Sequence, residues 1–486
     1  MRSKVRLISG LKDWSKDYQK LIPKDVAAAE SMNGVIPKRM GIYTDNKGSF
    51  HTSGYVGVGW LKDHQGKVVR DAITGEKLAI EIKPRFSVNP WEMLVKVMND
   101  PEYELYVSGS NGGFFELYTD EELIPVPNTA TGGELLAALS FVKECEKICK
   151  KHLRRAMDFK EENFNGKIVG NIHVAKHIKN NVSQAREDRV YCRYPVFTVD
   201  TLENRIIKAA LLKARKIFKK NNITVKEIGR IYSYCENALK AVRTTSISKS
   251  DFNRINITGF NSYYKPVMEL AKTVLIGNGV NDLYGDETDE IKYIIPYTIN
   301  MENLFEFYVR ASLKEYLRVH REFKIILDEY RAPQKNPLYT LKDPDQRAYL
   351  MNSYVPDIAL IDQSDGTDKY IAVFDVKYQN STNSVYNDTR RHNSHQLLFY
   401  TLLLNVTKCG FIFPSQNADT EPGNAEVYEL NIQLGDAMDN SDRQYTQWTV
   451  HYETNNHVPE RIMRYVQNIN GAMYGSAFEG NGEIPD

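Results

Sequence analysis

The sequence predicts a multidomain protein of mixed α+β and α/β class, with a β-rich N-terminal domain, a helical middle region and a C-terminal core in which helices flank a mixed sheet. A chain of 486 residues has room for about three domains. Short apolar runs broken by Gly, Pro and Asn extend to about residue 127 and are typical of strands. Helical spacing dominates 202–220 and 263–275. Near residue 360, two apolar runs flank a polar turn and precede an apolar helix.

These patterns suggest three consecutive segments. Residues 1–165 are predicted to form the β-rich domain, with a short helix at 91–98 and a charged helix at 141–160. Residues 166–300 are predicted to connect the two ends of the chain through strands and then long helices. Residues 301–486 are predicted to hold the C-terminal core and an extension.

The charge balance restricts how the protein can bind nucleic acid. The formal net charge is only +1, so any contact with DNA must come from a local basic patch or from a partner. The lysine-rich stretches near 147–155 and 213–220 are typical of solvated helix faces. Arg390 and Arg391 lie close in sequence to the candidate site described below, and we expect this pair to contact DNA phosphate.

Cysteine usage and hydropathy point to a cytoplasmic protein without a membrane segment. The five cysteines are scattered and form no disulfide framework. Cys145, Cys149 and His152 could share a helix face and bind zinc, but no fourth ligand has suitable spacing, so ordinary reduced thiols are expected. The N-terminus lacks an apolar signal core, and the longest apolar stretch, near 397–404, is too short to span a bilayer.

The residues that carry the strongest chemical signal are Asp357, Asp375 and Lys377. Asp357 opens one apolar run, and Asp375 lies inside the next, two positions before Lys377. Residues two apart on a strand share a face, so Asp375 and Lys377 are expected to enter one cleft. Two carboxylates can hold Mg²⁺, and a nearby ammonium can orient water and offset charge that builds up on a phosphate. An exposed Asp–Lys ion pair is the common alternative, but the apolar surroundings of Asp375 favour a nuclease site.

Other polar residues are weaker candidates. Gln396 and Tyr400 lie one turn apart on the helix that follows the two strands, and both can be structural groups that cap a core. His392 and His395 are interpreted as polar neighbours. His173 and His177 have the spacing of a metal-binding pair on a helix, but the local sequence offers no third ligand.

The order of these motifs resembles a known nuclease superfamily. Pro356-Asp357, then Asp-x-Lys, then Gln-x-x-x-Tyr is similar to the PD-(D/E)xK superfamily in its variant with a Gln-Tyr helix. The chain more specifically resembles the McrC subunits of McrBC restriction systems, through short motifs that follow one another in the same order across roughly residues 50–415. These motifs are 54–60, 78–84, 166–171, 198–205 and 301–309.

The resemblance implies roles for particular residues. Glu306, in an apolar stretch predicted to be helical at 301–320, occupies the position from which the first core helix of the superfamily often supplies an acidic metal ligand. Asp357, Asp375, Glu306 and the carbonyl of Val376 would then hold one or two Mg²⁺ ions. Gln396 and Tyr400 would help to position DNA or the catalytic lysine.

The resemblance also implies a partner. The sequence contains no Gly-x-x-x-x-Gly-Lys-Ser/Thr phosphate loop, so it is not an NTPase of the P-loop type. McrC-like subunits act with a separate McrB-like AAA+ GTPase ring that reads modified cytosine, and they insert an N-terminal β-rich domain with a projecting arm into that ring. Residues 54–127 and the predicted helix at 141–160 are the candidates for this contact.

The predicted function is therefore a Mg²⁺-dependent DNA endonuclease that cuts modified, 5-methylcytosine-type DNA when its GTPase partner activates it. Two alternatives remain open. The protein could be the nuclease of a sequence-specific restriction system with companion methyltransferases, or a non-catalytic activator of a ring NTPase. The family-like N-terminal half argues against a third alternative, an RNA-processing or repair nuclease with a Gln-Tyr helix.

Overall fold

The computed structural model describes residues 5–14, 42–44, 50–62, 67–71, 73–86, 88–100, 114–127, 132–221, 223, 225–255, 257–276, 291–318, 323–326, 341–342, 348–349, 356–379, 396–397, 399–401, 404–406, 408–414, 426–430 and 443–450. Within these ranges the protein is a mixed α+β structure with several sheets. No helix of the described ranges is long and apolar enough to cross a membrane.

Strands are numbered in chain order. They are β1 (Val5–Lys12), β2 (Ile42–Thr44), β3 (Phe50–Thr52), β4 (Tyr55–Trp60), β5 (Lys77–Lys83), β6 (Phe115–Leu117), β7 (Ile124–Pro127), β8 (Ala156–Asn165), β9 (Asn171–Ile172), β10 (Arg189–Thr198), β11 (Ile291–Ile294), β12 (Tyr297–Asn300), β13 (Phe323–Ile326), β14 (Leu341–Lys342), β15 (Ala348–Tyr349), β16 (Ile358–Asp362), β17 (Lys369–Val376), β18 (Lys408–Pro414), β19 (Glu426–Leu430) and β20 (Arg443–Val450).

Helices are numbered in the same way. They are α1 (Pro90–Met98), α2 (Gly133–Lys151), α3 (Val174–Asn180), α4 (Leu202–Lys220), α5 (Val225–Ala238), α6 (Lys249–Asn253), α7 (Lys265–Ile276) and α8 (Met301–Leu317), with short 3₁₀ turns at Val182–Gln184 and Gly259–Tyr264. Polar side chains begin several of them. Asn89, Thr201 and Asn300 each accept a main-chain N–H of the first turn of α1, α4 and α8.

The chain divides into two compact units, Met1–Tyr118 with Pro296–Asp486, and Thr119–Ile295. The breaks fall after Tyr118 and after Ile295, whereas the expected boundaries were near 165 and 300. Strand β12 pairs with β4 and β6, which places the strand before α8 in the N-terminal sheet and joins the two ends of the chain in one unit. Residues 119–295 are thus a continuous unit inserted into a discontinuous one.

The first unit contains two large sheets. One has five described strands in the order β1-β5-β4-β12-β6, in which only β1 and β5 are parallel. Its core includes Ile8, Leu78 and Ile80. The other has six described strands in the order β13-β16-β17-β18-β20-β19 and is mixed, since β17, β18 and β20 run parallel while the other neighbours are antiparallel. The sequence had suggested a mixed sheet in this part of the chain.

The second unit combines helices with a long hairpin. Helix α2 packs against α4, α5 and α7 through apolar residues such as Leu139, Phe141 and Val142. Strands β8 and β10 pair antiparallel along their whole length, and β9 joins β10. The helices predicted at 202–220 and 301–320 are present as α4 and α8, and α7 begins after a 3₁₀ turn at Lys265 rather than at 263.

The charged helix predicted at 141–160 is correct only as far as Lys151, where α2 ends. From Ala156 onward the charged residues belong to strand β8. Almost all residues of β8 are exposed, on both faces of the strand. A strand with two solvated faces does not show the apolar alternation that identifies a strand from sequence. From Ala156 onward, the segment predicted as a helical arm is therefore one strand of the β8–β10 hairpin.

Candidate active site

Strand β17 carries Asp375 close to Lys377. The strand lies between β16 and β18, and its second half, from Ala372 to Val376, is buried. Asp375 is only 1% exposed, and Lys377 follows directly after the strand. The Lys377 Nζ atom lies 2.9 Å from Asp375 Oδ2. The strand therefore delivers a carboxylate and an ammonium to the same position, as the spacing predicted.

Strand β16 brings Asp357 to the same place. Ile358 pairs with Phe374 in an antiparallel register, so the residue before Ile358 lies beside the residue after Phe374. That pair is Asp357 and Asp375. The Asp357 carboxylate is also fixed by a hydrogen bond, since the main-chain N–H of Val376 donates to its Oδ2 at 2.7 Å.

The two carboxylates and the lysine change one another's titration. Burial raises the pKa of Asp375 well above its usual range, the charge of Asp357 raises it further, and Lys377 offsets only part of this effect. Burial alone would lower the pKa of Lys377, but the charges of Asp375 and Asp357 outweigh it and the pKa is raised. Lys377 is therefore a cation at neutral pH, suited to donating hydrogen bonds and offsetting negative charge rather than to accepting a proton.

Helix α8 adds Glu306 and an arginine that sequence reasoning missed. Arg310 is 1% exposed, and its Nη2 lies 2.8 Å from Glu306 Oε1 and 3.9 Å from Asp357 Oδ1. Glu306 also contributes to the raised pKa of Lys377. The structure thus brings Glu306, Asp357, Asp375 and Lys377 together. The signal in the sequence was Arg310, one turn after Glu306 in the apolar central part of α8.

The donor set suits a hard divalent cation. Asp357 and Asp375 present adjacent carboxylates, and Lys377 Nζ, 2.9 Å from Asp375 Oδ2, is the ammonium beside them. Two neighbouring carboxylates, one of them buried, repel each other unless a further cation or a proton compensates the charge. Oxygen ligands of this kind match Mg²⁺. Asp357 and Asp375 would hold such an ion, with the Val376 carbonyl and Glu306 as further oxygen donors.

A short helical stretch after β17 contains Gln396 and Tyr400. Gln396 Nε2 donates a hydrogen bond to Tyr400 Oη at 2.8 Å. Tyr400 is 2% exposed and packs in a cluster that includes Leu397 and Val373. Val373 lies two positions before Asp375 and shares its face of the strand. The Gln–Tyr pair therefore belongs to the core layer that supports the Asp375 face, and its predicted role toward DNA stays a prediction.

The loop after β5 supports the residue that follows Lys377. Arg85 Nη2 donates a hydrogen bond to the main-chain oxygen of Tyr378, and the rings of Phe86 and Tyr378 meet edge to face with centroids 5.0 Å apart. Buried Asp13 accepts the main-chain N–H of Arg85. Burial raises the pKa of Asp13 to about 6, against the lowering effect of Arg85. The N-terminal sheet thus helps to hold the end of β17 in place.

Arg390 and Arg391, predicted to contact phosphate, lie outside the described residues, as do His392 and His395. His173 caps the start of α3 by accepting the N–H of Lys176, and His177 lies close to the side-chain amide of Asn181. Both histidines therefore have hydrogen-bond partners within or beside α3.

Similarity to known proteins complements this geometry. A family model described as "McrBC 5-methylcytosine restriction system component" matches residues 68–414. No curated protein matches the chain.

Among solved structures, two assemblies from Thermococcus gammatolerans are similar. One is a refined half-complex of McrB AAA+ hexamers with bound McrC, with 13% identity, coverage of 95% of this chain and 100% of that chain, and a TM-score of 0.37. The other is the McrBC complex solved by cryo-EM, with 14% identity, coverage of 64% and 88%, and a TM-score of 0.28. The family match spans well over half of the sequence, and the chain therefore belongs to the family of McrBC 5-methylcytosine restriction system components.

Proposed function

We propose that this protein is the nuclease subunit of a modification-dependent restriction system and hydrolyses DNA phosphodiesters at the Asp357–Asp375–Lys377 site. The observation that carries the proposal is the convergence of two carboxylates and an ammonium at the ends of two adjacent strands, with Lys377 Nζ 2.9 Å from Asp375 Oδ2. This arrangement, on a mixed sheet with helix α8 against it, supports assignment to the PD-(D/E)xK nucleases.

Each residue has a part in the proposed hydrolysis. Asp375 and Asp357 supply the negative charge that concentrates a divalent cation at the site, and a bound Mg²⁺ supplies Lewis-acid chemistry and a water of lowered pKa. Lys377 donates hydrogen bonds to the attacking water or to a phosphate oxygen as negative charge builds up there. Arg310 acts as a positioning residue, because it holds Glu306 and the start of β16 together.

A partner supplies the energy-dependent step in this proposal. The chain has no P-loop, and its family is described as a component of a restriction system, which supports a division of labour with a McrB-like AAA+ GTPase. We assign recognition of modified cytosine to that partner. This protein would stimulate NTP hydrolysis by the ring and cut the DNA.

The exposed hairpin is the surface that we assign to partner contact. Strands β8 and β10 present Met157, Phe159 and Phe197 at 58%, 45% and 77% exposure. Large apolar side chains on a solvated hairpin are typical of binding surfaces. The β8–β10 hairpin takes the place of the predicted helix at 141–160 as the candidate arm. Residues 54–127 remain a second candidate for partner contact.

The test is plasmid cleavage by the protein together with its AAA+ partner, GTP and Mg²⁺, on matched methylated and unmethylated DNA. The proposal predicts double-strand breaks only in methylated plasmid, only with both proteins, and none when EDTA replaces Mg²⁺. Cleavage of unmethylated plasmid at defined sequences would favour a sequence-specific system with companion methyltransferases. Strong NTPase stimulation without cleavage of either plasmid would contradict the nuclease assignment.

A further inference from the structure

The helical unit contains a cluster of three cysteines that the proposed nuclease chemistry does not use. Cys145 and Cys149 lie one turn apart on the same face of α2, and Cys235 lies on α5, which packs against α2. Their three sulfur atoms all lie within 4.8 Å of one another. Cys145 and Cys235 are fully buried, whereas Cys149 is partly exposed.

This cluster differs from the zinc candidate considered from sequence. His152 was the third possible ligand there, but it lies at the exposed C-terminal end of α2, and the helix packing supplies Cys235 in its place. All three cysteines are free thiols. A packing role alone does not require three cysteines at this point. Ala or Val would fill a similar volume without bringing reactive thiols together.

We propose that Cys145, Cys149 and Cys235 bind a single thiolate-preferring metal ion of the Zn²⁺ class. Soft sulfur ligands select ions such as Zn²⁺ over Mg²⁺ or Ca²⁺, and three protein ligands with a water in the fourth position is an established Zn²⁺ arrangement. The site lies in the helical unit and is assigned no part in phosphodiester hydrolysis.

The surroundings of the cluster fit an open fourth position. Glu146, the adjacent acidic residue on α2, is engaged by Lys150 at 2.7 Å and by Lys143 at 3.5 Å. The group of possible metal ligands among the described residues consists of these three sulfur atoms. The partial exposure of Cys149 gives water and metal a way in, so the ion can be loaded after folding and removed by a chelator.

The position of the cluster between two packed helices gives a bound ion a structural effect. Cys145 and Cys149 lie on α2 and Cys235 lies on α5. A bound ion would link α2 to α5 and so stabilise the helical unit.

The experiment is metal binding by the full-length protein, purified under reducing conditions and stripped with a chelator. Native mass spectrometry with added Zn²⁺ should show one tightly held ion per chain. Titration with Cd²⁺ as the probe should produce a sulfur-to-metal charge-transfer absorption that saturates at one equivalent. Zn²⁺ should also slow alkylation of Cys149 by N-ethylmaleimide in the folded protein, as read by peptide mass spectrometry.

Matched variants separate the cluster from the other cysteines. Cys149→Ser should lose the bound ion and the charge-transfer absorption, whereas Cys409→Ala, which removes a buried cysteine of the six-stranded sheet, should retain both. Binding by Cys149→Ser equal to that of the original protein would overturn the proposal. The alkylation test needs no variant, so unchanged labelling of Cys149 with saturating Zn²⁺ would overturn it even if the substitution prevented folding.

Discussion

Arg310 donates a hydrogen bond from Nε to the main-chain oxygen of Asp357 at 2.7 Å. The arginine lies on helix α8 and the aspartate at the start of β16, so this contact fixes the helix against the strand that delivers a carboxylate to the site. The same guanidinium pairs with Glu306. A single buried cation therefore organises two of the four acidic and basic residues that were predicted as catalytic.

Replacing Arg310 should destabilise the protein strongly. Arg310→Met leaves the Glu306 carboxylate without its buried partner, and such losses cost about 3–5 kcal/mol in free energy of unfolding. Arg318→Met, at the exposed end of the same helix, should change stability by about 0.5 kcal/mol or less. Urea denaturation measures both. Adding Glu306→Gln to Arg310→Met should recover part of the loss, and purely additive effects would contradict the pairing.

Asp375→Asn should stabilise the metal-free protein. A raised pKa means that the folded state binds the proton more tightly than the unfolded chain, so the stability linked to Asp375 is lost as pH rises and the carboxylate ionises beside Asp357. Removing the charge should add roughly 0.5–2 kcal/mol at pH 8 in EDTA, as at other strained active sites.

Added Mg²⁺ should stabilise the original protein but not Asp375→Asn. Thermal melts at pH 8 should show that Mg²⁺ raises the Tm of the original protein but not of Asp375→Asn, because a ligand stabilises the state that binds it. Asp368→Asn, in the exposed turn between β16 and β17, should respond to Mg²⁺ like the original protein. An equal shift in all three proteins would contradict metal binding by Asp375.

Asp13 should make stability depend on pH between about 4 and 7. Its pKa is raised from 3.8 to about 6, so the folded state favours the protonated form. The associated stability is complete below the unfolded pKa and is lost as pH rises through 6, which amounts to roughly 3 kcal/mol for a shift of this size. Asp13→Asn keeps the Oδ1 acceptor for the Arg85 N–H but does not titrate.

The free energy of unfolding of Asp13→Asn should therefore exceed that of the original protein at pH 7.5, and the two should converge near pH 4. Urea denaturation across this range measures the difference. A constant difference at all pH values would show that Asp13 does not titrate in this window.

Gly57 should tolerate no side chain. It lies in β4 between β5 and β12 with φ at +150°, and a Cβ atom there would lie 2.1 Å from the carbonyl oxygen of Tyr297. Gly57→Ala should cost roughly 3 kcal/mol or more, through combined overlap and backbone strain. Gly366, in the turn between β16 and β17, has φ at +80° and open space around it. Gly366→Ala should therefore cost only about 1–2 kcal/mol, and chemical denaturation of both variants would separate the two effects.

Most of the candidate site could be predicted because its residues are local in sequence. Asp357, Asp375 and Lys377 belong to two strands joined by one turn, so strand periodicity together with hairpin pairing brings them to one place. Glu306 was placed there only by the family resemblance. Arg310 could not be predicted in this way, since its main-chain partner is 47 residues away and a lone Arg in a helix is usually solvated. The cysteine cluster could not be predicted for the same reason, because Cys235 comes close to α2 only through helix packing.

The fold was predictable where one face of an element is buried. The amphipathic pattern of α4 gave its bounds, Leu202–Lys220, directly. Strand β8 was missed because both of its faces are solvated, and periodicity reports burial rather than backbone conformation. The pairing of β12 with the N-terminal sheet depends on contacts between residues far apart in sequence, which local patterns do not encode.

The most direct test of the central claim measures DNA cleavage and NTP hydrolysis in the same reactions, with the AAA+ partner, Mg²⁺, GTP and methylated plasmid. Asp375→Ala should abolish cleavage and leave stimulation of the partner's GTP hydrolysis intact, while Asp368→Ala should preserve both activities. Cleavage that persists in Asp375→Ala would contradict the account and place the chemistry outside the Asp357–Asp375–Lys377 site.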